Sequence, residues 1–76
     1  MEDKIIREDI SLVAKDNFDI YNHFEERVEV KYGDKFNGTR MNINGLELVS
    51  IELLGIDTVY HRNEVENYFI IKGVDK

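Results

Sequence analysis

Between residues 36 and 54 the chain carries the dipeptide Asn44-Gly45, with apolar residues on both sides. Asn-Gly accepts positive φ at both positions, which a two-residue turn between antiparallel strands requires. Ahead of it, Val28, Val30 and Tyr32 alternate with Arg27, Glu29 and Lys31, the period-2 pattern of a half-buried strand. Gly33-Asp34 is a turn signal. Phe36 to Ile43 reads as a second strand interrupted by Gly38, where a glycine marks a bend or bulge. Leu46 to Leu54 reads as a third strand. Gly55 interrupts it, and Thr58 to His61 continues it. Arg62-Asn63-Glu64 is a polar turn, and Glu66 to Lys72 is a closing strand before Gly73. Residues 45–54 also admit a helix: Asn44 and Glu47 have capping-box spacing, and Gly55 suits a helix end. The strand is adopted because Leu48, Val49, Ile51, Leu53 and Leu54 are apolar on both faces. The alternative is an α+β fold with a second helix at 45–54.

The amino-terminal segment, residues 1–24, is predicted to be helical. Ile6, Ile10 and Val13 fall at i, i+4 and i+7 on one face, and Ile5 and Leu12 form a second apolar line. Glu2, Asp9 and Asp16 lie between the two lines. Either Asp9 is exposed, or the helix packs two ways, one line on its own domain and one on a partner. Asp16 or Asn17 can cap a short second helical stretch that buries Phe18, Ile20, Tyr21 and Phe24. The expectation is one domain over 1–76, with β-sheet or barrel over 26–73. It is mainly β, a small and strongly bent barrel behind an N-terminal helix.

Composition limits the chemistry. The 76 residues include no cysteine, proline or tryptophan, which excludes disulfides, thiol catalysis and Cys-rich zinc sites. A chain this short buries only about 60–65% of its unfolded surface. With no covalent staple, self-association into a homodimer is expected. No run is apolar enough to span a bilayer and no signal peptide opens the sequence, so a cytoplasmic protein is expected. His23 and His61 are the only histidines and lack metal-ligand spacing, so no metal and no cofactor is expected. Ser11 and Ser50 sit in apolar periodic segments without a nucleophile motif. Glu25-Glu26 reads as a solvated pair rather than an acid–base pair. No enzymatic activity is expected. Phe18, Tyr21, Phe24, Phe36, Tyr60, Tyr68 and Phe69 are assigned to the core.

The stretch from Glu26 to Thr39, an alternating strand, Gly33, Phe36 and Gly38, resembles the first motif of the Sm-like family. Phe69-Ile70-Ile71-Lys72-Gly73 is similar to its second motif. The resemblance covers roughly residues 16–75 and implies an SH3-like, five-stranded bent barrel with an N-terminal helix. It also implies RNA contacts at Asn42, Asn44, Lys72 and Gly73. The loop between the second and third strands is short here, and Glu47 stands nearest the family's RNA-facing asparagine.

Charge points elsewhere. Sixteen acids against ten bases give a net charge of -6. Residues 1–30 hold nine of those acids and four of the bases. Phosphate binding needs clustered Lys and Arg. The only candidate patch, Lys31, Lys35, Arg40 and Lys72, would work against the field of the whole molecule. The same field steers the protein toward a basic partner and away from nucleic acid and membranes. In size, charge and lack of catalytic residues the chain is similar to small acidic bacteriophage proteins that mimic DNA. That similarity implies a protein-binding module blocking a basic, histone-like DNA-binding protein in the host cytoplasm. The contact set expected is Glu2, Glu8, Asp9, Asp16, Asp19, Glu25 and Glu26. The alternatives are an Sm-like RNA-binding protein and a structural or regulatory subunit that adds a strand to a partner's sheet.

Overall fold

The computed structural model describes residues 5–73. In chain order the elements are β1 (Ile5–Ala14), β2 (Phe18–Tyr21), β3 (Arg27–Val30), β4 (Lys35–Ile43), β5 (Leu46–Leu53), β6 (Ile56–His61), α1 (Arg62–Glu66) and β7 (Phe69–Gly73). The protein is mainly β. Five strands form one antiparallel sheet in the order β6-β5-β4-β1-β7, and β2 and β3 form a separate hairpin. The outer strands β6 and β7 do not pair with each other, so among the described residues the sheet does not close into the expected barrel.

Nor is there an N-terminal helix among the described residues. Residues Ile5–Ala14 are the interior strand β1, paired with β4 along most of its length and with β7 over Ile10–Ala14. The reason lies in the spacing. Residues four apart share a face in a helix, and they also share a face in a strand. Ile6 and Ile10 therefore fit both, and Leu12 and Ala14 complete the strand face. Pairing on both flanks decides between them. The second helical stretch is strand β2, whose Phe18 and Ile20 alternate inward. Residues 1–4 of the expected helix lie outside the described residues.

Strands β3, β4 and β5 follow the sequence closely, but Thr58 to His61 does not continue β5: it lies in the separate antiparallel strand β6, and the closing strand starts at Phe69, Glu66 falling in α1. Residues 45–54 are strand, not helix. Asn44 and Gly45 have φ of 52° and 92°, the positive pair that a tight hairpin needs. A second tight turn joins β5 to β6 at Leu54-Gly55, with φ of 53° and 80°. Gly38 does not break β4. It lets two strands and a side chain meet, since a Cβ there would fall 2.6 Å from Leu12 Cδ1 and closer still to the Ser50 carbonyl oxygen.

Alternation gives the five-stranded sheet two unlike faces. On the inner face Ile10, Leu12, Ala14, Val49, Ile51, Leu53 and Phe69 are buried. Val30 of the β2–β3 hairpin and Val65 of α1 close over them, with Phe18, Ile20 and Val28 packed alongside. Each such side chain contributes about 1.5–3 kcal/mol relative to exposure. Nothing among the described residues covers the outer face. Among the described residues, no helix is long and apolar enough to cross a membrane.

The hairpin is anchored at both ends. At its base, Ala14 N donates to Asp34 O, Gly33 N to Ala14 O and Lys15 N to Tyr68 O, at 2.8, 2.8 and 3.0 Å. At its tip, Asn22 is only 4% exposed. Its Oδ1 accepts from the backbone N–H groups of Phe24 and Glu26, and its Nδ2 donates to Glu26 Oε1 and to the Leu53 carbonyl of β5.

Candidate binding surface

Charge is divided between the two layers. Residues 15–34 and α1 together hold Asp16, Asp19, Glu25, Glu26, Glu29, Asp34, Glu64 and Glu66, against Lys15, Arg27, Lys31 and Arg62. The remaining described residues hold Glu8, Asp9, Glu47, Glu52 and Asp57, against Arg7, Lys35, Arg40 and Lys72. The sheet is close to neutral, and the layer over its inner face carries the negative excess.

Ion pairing leaves much of that excess uncompensated. Arg27 sits 3.7 Å from Asp19 and 3.6 Å from Glu29, and Lys31 lies 3.9 Å from Glu29. These exposed pairs are worth only about 0–1 kcal/mol each. Arg62 is held more tightly, at 2.6 Å from Glu66 and 2.7 Å from Glu47. Those hydrogen bonds, to Glu66 first and then to Glu47, raise its pKa further and keep the guanidinium charged. Among the described residues, Asp16, Glu25, Glu26, Asp34 and Glu64 make no ion pair.

The expected contact set is thus split between two places. Asp16, Asp19, Glu25 and Glu26 belong to the hairpin layer. Asp16 Oδ1 accepts from Asn17 N in the turn before β2, and Glu25 and Glu26 sit at the hairpin tip. Glu8 and Asp9 lie on the exposed half of β1, and as adjacent strand residues they point to opposite faces. Glu2 lies outside the described residues.

The residues implied by the Sm-like resemblance do not meet. Asn42 pairs with Ile6 and Gly73 with Ile10, four positions or roughly 13 Å apart along β1. Asn42 faces inward and its Oδ1 accepts from Gly45 N, while Lys72 faces outward opposite Ser11. Asn44 is committed to the turn at positive φ. The four bases of the candidate phosphate patch are also dispersed: Lys35 and Lys72 on the outer face, Arg40 on the inner face 3.9 Å from Glu47, and Lys31 beyond β3.

Within the acidic layer lies a pocket of about 280 Å³. Ile51 and Val65 form its apolar floor, Phe18, Tyr60, Tyr68 and Phe69 its aromatic wall, and Glu64 stands at it, while Asp19 lines it from a strand position whose side chain turns to the outward face beside Arg27. The rings are fixed against one another, with Phe18 5.0 Å from Tyr68 and 5.3 Å edge-on to Phe69. Tyr60 Oη donates to the Tyr21 carbonyl at 2.9 Å and ties sheet to hairpin. Burial, and secondarily the Glu64 charge, raise the Tyr60 pKa.

The aromatic assignments divide accordingly. Phe69 is buried, and Phe18, Phe36 and Tyr60 are half-buried. Tyr21, Phe24 and Tyr68 are 54%, 70% and 50% exposed, so they are not core. Sequence reasoning missed Glu64, read as part of a polar turn, and the meeting of Phe18 with Tyr68 across 50 residues. It also missed Asn22, which no local pattern marks. Among the described residues no group of acids and histidines is arranged to hold a metal ion. Comparison with protein-family models, with curated proteins and with solved structures finds no match to this chain.

Proposed function

We propose that the protein is a non-enzymatic binding module whose hairpin layer meets a basic protein of the kind that binds DNA, its carboxylates taking the place of phosphates. One observation carries this reading: the negative excess lies on one layer, and five of its eight carboxylates have no cationic partner among the described residues. A cationic surface docking there gains Coulomb attraction without first breaking ion pairs. The sheet, close to neutral, adds little to that field. Nucleic acid would meet the same carboxylates as a like charge.

The test is displacement. A histone-like nucleoid protein is bound to fluorescently labelled duplex DNA and titrated with this protein. Anisotropy should fall to the free-DNA value, with an affinity that weakens steeply as salt rises, because exposed charges are screened within about 8–10 Å at 0.1–0.15 M. Direct binding of the labelled DNA by the protein would overturn the reading, as would displacement indifferent to salt.

The outer sheet face supports a homodimer. Val59 and Ile70 stand 42% and 49% exposed on it, among Val13, Met41 and Leu48. On that face Lys72 stands opposite Ser11 and Ser11 opposite Asn37, and Glu52 stands opposite Asp57, which puts a cation on the β7 edge and a carboxylate on the β6 edge with a second on β5 beside it. A two-fold axis along the strands would lay the Lys72 edge of one copy over the Asp57 edge of the other. Light scattering should give the mass of a dimer. Lys72→Glu should shift it to monomer, and Lys72→Glu with Asp57→Lys should restore it. A monomer at all concentrations contradicts the arrangement.

A further inference from the structure

The pocket under the hairpin has a composition that a packing defect does not need. Four of the chain's eight aromatic residues line it, over an aliphatic floor, beside the Glu64 carboxylate. At about 280 Å³ it falls just below the size of pockets that enclose a drug-sized ligand, about 300–1,000 Å³. That volume suits a single side chain. We propose that it is the anchor site for one long basic side chain of the partner, an apolar stem ending in a cationic head.

The chemistry follows the lining. Ile51 and Val65 suit a methylene stem, and the rings of Tyr68 and Phe18 offer quadrupoles that attract a cation. Glu64 makes no hydrogen bond or ion pair through its side chain among the described residues, so its charge is available. Its field already reaches the pocket, since it helps to keep the Tyr60 hydroxyl protonated. A neutral stem would gain the floor but not the Glu64 carboxylate. An acidic side chain would be repelled.

This site deepens the reading above and rests on it for the nature of the partner, but its test needs no partner. The ¹⁵N-labelled protein is titrated by NMR with n-butylammonium, n-butylguanidinium and 1-pentanol. Both cations should give saturable shifts confined to residues 18–20, 60 and 64–69, the tighter of the two naming the lysine or arginine type of head. The alcohol should bind at least about 5-fold more weakly, the ratio expected for ~1 kcal/mol of cation recognition. Glu64→Gln should weaken the cations by a similar factor and leave 1-pentanol unchanged. Glu66→Gln, outside the pocket and paired with Arg62, should alter neither. The cation site is overturned if 1-pentanol binds as tightly as n-butylammonium, if shifts scatter over all the surface carboxylates, or if Glu64→Gln has no effect in a folded protein. Cation binding without displacement of a basic protein from DNA would leave the pocket standing and remove only the partner class.

Discussion

Asn22 shows how much one polar side chain can organise. Its amide uses both lone pairs and both N–H groups, three of the bonds closing the loop 22–26 and the fourth reaching the Leu53 carbonyl. Asn22→Leu removes the partner of two backbone donors and of the Leu53 carbonyl in a nearly buried place. A loss of roughly 2–4 kcal/mol in unfolding free energy is expected, several times that of an ordinary surface change. Urea denaturation measures it. Leu54 is the opposite case. It is 62% exposed and sits at φ 53°, where a Cβ costs roughly 1 kcal/mol. Leu54→Asn should stabilise the protein by about 0.5–1 kcal/mol, since asparagine tolerates that conformation. Tyr60 supplies a pH test. Its folded pKa is raised, so the unfolded state loses its proton first as pH climbs past about 10. The stability Tyr60 contributes is therefore complete below that pH and falls as pH rises through the folded value. An absorbance titration should show a late tyrosine component, and Tyr60→Phe should remove it.

At the scale of elements, β4 depends on Gly38. Gly38→Ala should cost about 1–3 kcal/mol, because one of the atoms its Cβ would strike is the backbone carbonyl oxygen of Ser50, which cannot rotate away. Calorimetry should show a melting temperature lower by several degrees. The middle of the fold was legible in the sequence because its signals are local. Asn44-Gly45 specifies its own turn, and Val28 and Val30 alternate inward as expected, although Tyr32, the next member of the pattern, lies past the end of β3 and is exposed. β1 was not legible, because Ile6 and Ile10 sit at a spacing common to helix and strand, and its pairing with β4 and β7 comes from distant residues. The Leu54-Gly55 turn was hidden because leucine is not a turn residue. The pocket was hidden for a related reason. Its walls come from β2, β6 and the α1–β7 turn, and each aromatic residue taken alone reads as core. The charge asymmetry was half legible. Composition along the chain located the excess in the first 30 residues, but folding sends Glu8 and Asp9 to the exposed end of β1 and brings Glu64 to the pocket under the hairpin.

The whole molecule is two layers with different electrical character: a nearly neutral sheet and a negative hairpin-and-helix cover. If the cover is what a basic partner meets, carboxylates of the same chemical type must differ in worth by location alone. Glu25 and Glu26 on the hairpin tip, and Glu8 and Asp9 on the β1 arm, make the comparison clean. All four are exposed, none is ion-paired among the described residues, and each double neutralisation removes the same charge. The deciding experiment is the DNA-displacement titration repeated with Glu25→Gln/Glu26→Gln and with Glu8→Gln/Asp9→Asn. The hairpin pair should weaken displacement about tenfold, and the arm pair less than about twofold. Equal losses from the two pairs, or a larger loss from the arm, would mean that net charge alone, or the other end of the molecule, makes the contact.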